Sequence, residues 1–416
     1  MKGSSLCEVA VTGMGVIAPN GIGLKSFWEA CLNGQSGIDY ITSIDTKDFE
    51  VRIGGEATDF KREDFMERST FRKIERFAQF AVATTKMAIE DGSFNLDDYN
   101  PDRVGVVIGS GLGGLIFSAK QIKRFLEGGP KRVQVQTVPK VCPHATTSYI
   151  SKVFGFRGLN YSVSTACSSG ANAIGQGMWM VRHGLLDACI VGGSEESVTE
   201  MSLAGFQELR ALSRRNDEPQ KASRPFDKDR DGFVLSEGAA TLILEPLEKA
   251  KQRGAKIYAT VAGFGSNCSG HDMVAPMPDG SDAASAIRAA LEDGDTKAEE
   301  IDYVNAHGTS TVFNDVAETK AIKLALGDRA KEIPISSTKS MIGHTIGAAG
   351  AIEAVATIMS IDCGLVHPTI NLDEPDNECD LDYVPGEKRQ HKVRAALSNS
   401  FGFGSNNTAL LFKAPE

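Results

Sequence analysis

The 416-residue sequence predicts an α/β protein built from two similar halves. Apolar, strand-like runs lead into glycine-rich turns and then into helical patterns, as expected for folds with buried sheets. Three such transitions are residues 9–11 before Thr12-Gly13-Met14-Gly15, residues 104–108 before Gly109, and residues 188–191 before Gly192-Gly193.

An internal echo of the first transition indicates where the halves meet. The run Val9-Ala10-Val11-Thr12-Gly13-Met14-Gly15 recurs in kind as Thr260-Val261-Ala262-Gly263-Phe264-Gly265, about 250 residues later. Just before the second copy, residues 245–254 have the pattern of a polar helix that ends at a glycine. We therefore expect an N-terminal half over residues 1–255 and a C-terminal half over residues 256–416.

Composition and charge exclude several classes of protein. Hydrophobic residues make up 41% and charged residues 24%, which is typical of a globular chain and not of a disordered one. The net charge of -10 argues against a broad nucleic-acid-binding face. The first residues lack a signal-peptide pattern, and no uninterrupted apolar run approaches the roughly 20 residues that span a bilayer. We expect a cytoplasmic protein without a membrane segment.

The eight cysteines show no Cys-x-x-Cys spacing. Scattered cysteines in apolar surroundings are typical of reduced thiols in a large intracellular protein. We expect neither a disulfide framework nor a structural zinc site.

Two glycine patterns imitate a dinucleotide-binding fingerprint. They are Gly13-Met14-Gly15 with Ala18, and Gly109-Ser110-Gly111 with Gly114. The fingerprint also needs a helix that opens on the last glycine and an acid at the end of the next strand. Pro19 disrupts the first helix, and Glu127 after the second pattern does not end a strand. Nicotinamide or flavin binding is therefore disfavoured, and the glycines are predicted to form tight turns.

The acidic run from Asp227 to Gly232 resembles the start of a calcium loop. An EF-hand needs a bidentate glutamate at the twelfth position, and this chain has Gly238 there. We expect an ion-paired or solvated turn without calcium.

Cys167 is the first candidate for chemistry. An alternating strand, residues 161–165, runs directly into small residues and then into a helical stretch. A thiol at such a turn lies near backbone N–H groups and the positive end of a helix dipole, which lowers its pKa. On this segment alone, a nucleophile and an inert buried cysteine are equally compatible with the sequence.

Two histidines strengthen the catalytic interpretation. His307 follows the strand-like residues 301–306, and His344 follows the short strand that precedes Lys339 and is expected to open a helix over residues 345–361. Strand ends are where α/β proteins assemble their sites. The remaining histidines receive no role; they are His144, His183, His271, His367 and His391.

A thiolate with two imidazoles suits acyl transfer followed by a step with a developing enolate or oxyanion. Residues 399–407 add an aromatic and glycine-rich loop near the C-terminus. This loop could supply a backbone N–H as an oxyanion donor and an aromatic ring as a gate.

Four motifs together strongly resemble the β-ketoacyl-acyl carrier protein synthases, especially the type II condensing enzymes of fatty acid synthesis. They are Thr165-Ala166-Cys167-Ser168-Ser169-Gly170, Asn305-Ala306-His307-Gly308-Thr309-Ser310-Thr311, Ser337-Thr338-Lys339-Ser340-Met341-Ile342-Gly343-His344 and Phe401-Gly402-Phe403-Gly404. The resemblance covers nearly the whole chain in order. It implies a thiolase-like fold, with two duplicated halves stacked as five α-β-α-β-α layers, and normally a homodimer.

The resemblance also implies a reaction. Cys167 would take an acyl chain from an acyl carrier protein as a thioester, with the N–H groups of Cys167 and Phe403 as oxyanion hole. His307 and His344 would bind the malonyl thioester carbonyl and promote loss of carbon dioxide. The Cys-His-His set indicates a decarboxylating elongation enzyme, and no metal, nucleotide or other cofactor is implied beyond the phosphopantetheine of the carrier protein.

Further roles are implied residue by residue. Those near the reacting atoms are Lys339, Glu353 and Asp315 as orienting groups, Thr309 and Thr311 for the phosphopantetheine arm, Phe401 and Phe403 as gating aromatics, and Leu112 and Phe206 beside the acyl pocket. Because the carrier protein is acidic, a basic docking face is expected. Its candidates are Arg72, Lys73 and Arg210, with Lys131 and Arg132 weaker.

The sequence departs from the usual pattern in three places. Val312-Phe313-Asn314-Asp315 replaces Pro-x-Gly-Asp, Ser405 replaces the second of two adjacent glycines, and residues 270–276 differ from the common His-Met-Thr-Ser-Pro. These departures leave open a specialised polyketide or polyene ketosynthase that acts with a partner subunit, as a homodimer or a heterodimer. A catalytically silent partner subunit is a rival interpretation, against which the catalytic cysteine and histidines argue.

Overall fold

The computed structural model describes residues 6–415, in which strands alternate with helices. The strands in this part of the chain are β1 Val9–Ala18, β2 Gly21–Ile22, β3 Ile38–Tyr40, β4 Ile53–Gly55, β5 Val104–Gly109, β6 Asn160–Val163, β7 Ala188–Glu195, β8 Gly238–Pro246, β9 Ala259–Cys268, β10 Tyr303–Asn305, β11 Ile335–Ser336, β12 Leu365–Val366, β13 Arg389–Gln390, β14 Ala395–Gly402 and β15 Asn406–Lys413. The α-helices are α1 Leu24–Leu32, α2 Arg68–Phe71, α3 Arg76–Asp91, α4 Leu115–Gly128, α5 Thr137–Val141, α6 Ala145–Phe154, α7 Ser169–Arg182, α8 Glu200–Glu208, α9 Leu247–Gln252, α10 Ser281–Asp293, α11 Val312–Leu326, α12 Lys339–Ile342 and α13 Ala349–Cys363. The predicted α/β class is confirmed.

One large mixed sheet contains two sets of five strands with the same order. The first set runs β1-β8-β7-β5-β6, the second runs β9-β15-β14-β10-β11, and β1 pairs with β9 where the sets meet. In each set the first three strands pair antiparallel and the last three pair parallel. The echo in the sequence therefore marks two equivalent strands, β1 and β9. The proposed boundary at residue 255 lies between α9 and β9 and stays a prediction.

The helices form three layers around these strands. Helix α3 packs on β1, β8 and β7, while α10 packs on β9 and β15 at the other outer face. Helices α7 and α13 contact each other and strands of both sets, so they form the central layer. Their crossing is close: a Cβ on Gly170 would lie 2.9 Å from the Ala351 nitrogen. This is the expected thiolase-like arrangement of five layers.

The glycines of the first fingerprint imitation do not form a turn, so that prediction is wrong. Gly13 and Gly15 lie within β1, and a Cβ on Gly15 would lie 2.1 Å from the Thr84 carbonyl oxygen of α3. In the second set, a Cβ on Gly265 would lie 2.1 Å from the Ala286 carbonyl oxygen of α10. Both glycine pairs therefore allow an outer helix to approach its strand closely.

Helix α13 begins later than the sequence suggests and lies in the core. His344 does not open it, because a short 3-10 turn at Ile346–Ala348 precedes the helix at Ala349. By length and composition, Ile346–Cys363 is apolar enough to cross a bilayer, although Glu353 and Asp362 interrupt it, and 89% of it is buried inside the protein. It therefore has the surroundings of a core helix.

Candidate active site

Cys167 lies in a strained turn between β6 and α7. The preceding residue, Ala166, has a φ of 52°, which L-residues rarely adopt, and α7 begins two residues after Cys167. Gly402 of β14 packs against this turn so closely that a Cβ there would lie 2.8 Å from the Thr165 carbonyl oxygen. The turn fixes the direction of the thiol, and the glycine brings the end of β14 up to it.

The thiol and both predicted histidines meet in one cavity. The Cys167 sulfur and a nitrogen from each of His307 and His344 lie within 4.8 Å of one another. The three side chains line a cavity of about 270 Å³, and all are buried. The imidazole rings are 5.3 Å apart between centroids and nearly perpendicular. Residues far apart in the sequence are thus brought within reach of a single substrate carbonyl.

Both imidazoles are set to donate a hydrogen bond from Nε2. Lys339 Nζ lies 3.1 Å from Nδ1 of His307, and the Ile346 N–H donates to Nδ1 of His344 at 3.2 Å. A neutral imidazole whose Nδ1 accepts a hydrogen bond carries its proton on Nε2. Burial, together with the Lys339 charge, holds the pKa of both histidines well below the usual value, so both are neutral. The pair offers two neutral N–H donors to a substrate oxygen.

The thiol pKa differs from the sequence prediction. Burial raises the pKa of Cys167 to about 11, although the Lys339 charge and the hydrogen bond from the Phe403 N–H act in the opposite direction. The expected lowering of this pKa is therefore wrong. Desolvation disfavours the thiolate more than the nearby positive charge and donor favour it.

Lys339 and Glu353 form a buried ion pair directly behind His307. Lys339 Nζ contacts Glu353 Oε1 and also donates to the His307 carbonyl oxygen at 2.7 Å. Both side chains are almost completely buried. Burial raises the pKa of Glu353 to about 7, with Lys339 opposing the shift. The pair fixes both the orientation and the proton position of His307.

Asp315 organises the segment that follows His307. Its carboxylate accepts hydrogen bonds from the Thr309 N–H at 3.0 Å and the Phe226 N–H at 2.8 Å. Burial raises the pKa of Asp315, and Arg230 is the main opposing influence. Thr309 and Thr311 line the cavity with their hydroxyl oxygens 2.9 Å apart. The carboxylate thus holds the Thr309 backbone in place, and the Thr309 hydroxyl in turn contacts that of Thr311.

Sequence reasoning missed two buried carboxylates. Glu318 accepts the N–H groups of His307 and Gly308, and burial raises its pKa to about 7. The sequence does contain a sign of its burial, because Ala321 and Ile322 lie three and four residues after Glu318 on the same face of α11. Glu195, at the end of β7, accepts the N–H groups of Gly111 and Gly347. The second glycine pattern therefore binds a carboxylate of the protein itself.

The remaining predicted residues fall into three groups. Phe401, Phe403, Phe206 and Arg210 line the cavity. Leu112 does not line it, but packs on the same apolar cluster as Phe206. Arg72 and Lys73 line separate surface depressions.

The acidic run is an ion-paired turn, as predicted. Arg224 Nε donates to Asp227 at 3.0 Å, and the same carboxylate accepts the N–H of Asp229 at 2.8 Å. The Asp227 carboxylate therefore stabilises the turn that follows Phe226, whose N–H donates to Asp315.

The donor set Cys-His-His also resembles a metal site, and the ring environments test this alternative. Metal-bound histidines usually donate their second ring N–H to a carboxylate or carbonyl oxygen. Here Nδ1 of His307 faces an ammonium group and Nδ1 of His344 faces a backbone N–H. Both surroundings favour the tautomer with a proton on Nε2, which is the wrong one for metal binding. The arrangement fits hydrogen-bond donation to an oxygen better than metal coordination.

Comparisons with known proteins show the family of this chain. Residues 7–250 match the family described as "Beta-ketoacyl synthase, N-terminal domain" and residues 258–373 match "Beta-ketoacyl synthase, C-terminal domain". The chain is 48% identical over 406 residues to 3-oxoacyl-[acyl-carrier-protein] synthase 2 of Synechocystis sp., covering 98% of each chain. It is 46% identical over 408 residues to the protein of the same name from Vibrio cholerae, covering 98% of this chain and 99% of the relative.

A solved structure shows the same fold at lower identity. The ketosynthase of a type II polyketide synthase, solved in complex with its acyl carrier protein, has a TM-score of 0.92 and 34% identity, covering 99% of this chain and all of that one. Fold, site and relatives define a condensing enzyme of the acyltransferase class. Within that class, the chain belongs to the beta-ketoacyl synthase family.

Proposed function

We propose that this protein elongates acyl chains by two carbons, through decarboxylative condensation of malonyl-acyl carrier protein with an acyl group on Cys167. The observation that carries the proposal is the approach of the Cys167 sulfur to His307 and His344 within 4.8 Å, with the Phe403 N–H at the sulfur. The activity named for the Synechocystis and Vibrio relatives is consistent with it.

In the first half-reaction, the Cys167 sulfur attacks the thioester carbonyl of an acyl-carrier protein. A new carbon–sulfur bond forms, the bond to the phosphopantetheine sulfur breaks, and the thiol proton of Cys167 ends on the leaving thiol. The oxyanion that develops accepts hydrogen bonds from the Cys167 and Phe403 N–H groups. Such fixed donors stabilise developing charge in a water-poor cavity.

In the second half-reaction, malonyl-carrier protein loses carbon dioxide. The electron pair of the broken carbon–carbon bond passes into an enolate, whose oxygen accepts the Nε2–H groups of His307 and His344. The enolate carbon attacks the acyl-Cys167 carbonyl, and collapse of the oxyanion expels the Cys167 thiolate. Neutral donors suit this step because they do not protonate the enolate prematurely.

The reaction requires no metal or redox cofactor in this proposal. Decarboxylation and the thioester supply the driving force, and the ring surroundings of both histidines support a donor role. The phosphopantetheine arm belongs to the carrier protein, and Thr309 and Thr311 would hold it through their hydroxyl groups.

The partner is an acyl carrier protein, as in the solved complex of the polyketide ketosynthase. Arg210 lines the cavity and is the best supported member of the basic docking face, whereas Arg72 and Lys73 line two other surface depressions. A homodimer is favoured by exposed apolar residues on and after α4, among them Leu126 and Val138. We further propose a cytoplasmic location, where carrier-protein substrates are made.

A specialised ketosynthase of a polyketide or polyene pathway is the second candidate. It is favoured by the similarity to the type II polyketide ketosynthase and by Val312 and Phe313 at the cavity, where the family pattern has Pro-x-Gly. In this case a related subunit would replace one protomer of the dimer.

Intact mass of the purified protein tests the proposal. Wild type and Cys167→Ala are incubated with acyl-carrier proteins of several chain lengths, and then with malonyl-carrier protein. Acylation of wild type alone, cleared by malonyl-carrier protein with release of a β-ketoacyl product, is expected. Failure of every acyl group to form an adduct would overturn the assignment and favour a silent or partner-dependent subunit. The accepted chain length, and any need for a second subunit, would separate the two candidates.

A further inference from the structure

Ser405 has an unusual backbone conformation next to the oxyanion donor. Gly402 pairs with Asn406, so residues 403–405 form a three-residue loop between β14 and β15, here called the gate loop. Gly404 has a φ of 76° and Ser405 a φ of 57°. This region favours glycine, because a Cβ crowds the backbone there. The family motif has glycine at this position, whereas this chain has Ser405 in spite of the strain.

The Ser405 side chain connects the gate loop to a second loop. Its hydroxyl donates to the Asp272 carbonyl oxygen at 2.9 Å, and the residue is only 5% exposed. Backbone bonds run alongside: the Gly404 N–H donates to the Met273 carbonyl at 2.8 Å, and the Ser269 N–H donates to the Ser405 carbonyl at 3.3 Å. Residues 269–276, here called the mouth loop, are thus joined to the gate loop by three hydrogen bonds.

The mouth loop has its own internal bracing and faces the same cavity. The Asp272 carboxylate accepts the N–H groups of Val274 at 2.7 Å and Ala275 at 2.9 Å. Asp272, Val274 and Ala275 line the cavity together with Phe403. The braced loop therefore gives Ser405 a defined point of attachment at the cavity mouth.

We propose that Ser405 is a positioning residue of the condensation reaction, which fastens the gate loop to the mouth loop and so holds the Phe403 N–H at Cys167. The proposal rests on the proposed function, because it assigns Ser405 a part in the two half-reactions. The Phe403 N–H lies at the thiol, the Phe403 ring centroid is 6.2 Å from that of Phe206, and all three residues line the same cavity. A long acyl chain that passes toward Phe206 must displace Phe403, whereas the oxyanion step needs the Phe403 N–H in place.

The fastening therefore has opposite effects on the two half-reactions. It opposes acylation by long chains, because displacement of the gate loop either breaks the three bonds or carries the mouth loop with it. It favours condensation, because the donor returns to one position. A serine that only stabilised the fold would affect both half-reactions in the same direction.

The test compares Ser405→Ala and Ser405→Gly with wild type. Alanine removes the hydroxyl and keeps the strained Cβ, while glycine removes both. Ser266→Ala is the matched control, since Ser266 on β9 contacts Thr408 on β15 at 3.3 Å but lies outside both loops. Single-turnover acylation is followed by intact mass with an acetyl and a dodecanoyl carrier protein. Condensation is followed as consumption of malonyl-carrier protein by the acylated enzyme.

We expect both Ser405 variants to accelerate dodecanoyl transfer and to slow condensation, each by about threefold to tenfold, the range for one neutral hydrogen bond. Acetyl transfer and the Ser266 control should stay close to wild type. Amide hydrogen exchange should rise in the gate loop and the mouth loop together. Parallel losses in both half-reactions, or faster exchange in the gate loop alone, would overturn the proposal. If wild type itself is not acylated, the proposed function fails instead.

Discussion

Replacing Lys339 with methionine separates its two roles, charge compensation for Glu353 and hydrogen-bond donation to His307. Methionine is similar in length and apolar, so it fills the space without a charge or a donor. Glu353 would then remain in the core without a partner, a change that costs about 3–5 kcal/mol in other buried ion pairs. We expect a loss of that size in the free energy of unfolding, measured in urea.

The catalytic loss should be larger in one half-reaction than in the other. Without Lys339, the proton of His307 is free to move to Nδ1, and Nε2 no longer donates to the enolate oxygen. Removing one such donor typically lowers kcat by roughly 10²–10³-fold. Decarboxylation of malonyl-carrier protein should fall by this factor. Acylation of Cys167 should fall less, because it loses only the effect of the Lys339 charge on the thiol pKa.

The double variant Lys339→Met with Glu353→Leu is the decisive control. Apolar replacement of a whole buried ion pair is often neutral or stabilising, so most of the stability should return. Decarboxylation should stay low, because Nδ1 of His307 still lacks its donor. If decarboxylation returned together with stability, Lys339 would act only through the fold, and the argument from the tautomer would be refuted.

Two further predictions concern the thiol and the glycines of the equivalent strands. Alkylation of Cys167 by iodoacetamide should accelerate about tenfold per pH unit between pH 7 and pH 10, because burial raises the thiol pKa to about 11 and only the thiolate reacts. The assay measures the mass of the Cys167 peptide after digestion, because Cys268 and Cys363 are also exposed, and a rate independent of pH above pH 8 would contradict the prediction. Gly15→Ala and Gly265→Ala should each destabilise the protein by about 1–3 kcal/mol through overpacking against α3 or α10. Gly205→Ala, in a helix with open space around it, should instead gain about 0.4–1 kcal/mol, and equal melting temperatures for all three would disprove the packing argument.

The local sequence predicted the site correctly where a reactive residue directly follows a strand. Cys167 and His307 follow strand-like runs, and parallel strands deliver such residues to one edge of a sheet. The same reasoning misjudged His344, because a 3-10 turn, rather than α13 itself, follows this histidine. Turn geometry of this kind depends on packing against β8 and α7, which local pattern does not contain.

The thiol pKa and the buried carboxylates required the three-dimensional structure. Burial desolvates Cys167, and the two groups that oppose this effect, the Lys339 charge and the Phe403 N–H, lie more than 100 residues away in the chain. Glu195 and Glu318 bind backbone N–H groups, which every residue except proline has, so no residue type marks their partners. Glycines are ambiguous for a related reason, since a turn and a close helix contact require the same missing Cβ.

The duplicated sheet also has a consequence for biosynthesis. The nucleophile comes from the first set of strands, and both imidazoles, the ion pair behind them and the gate loop come from the second. A nascent chain that has completed only its first set therefore holds a thiol without the imidazoles, the ion pair and the gate loop that surround it in the folded protein. Catalytic competence appears only when the second set docks, so activity reports the joining of two sets that share one strand order but supply different parts of the site.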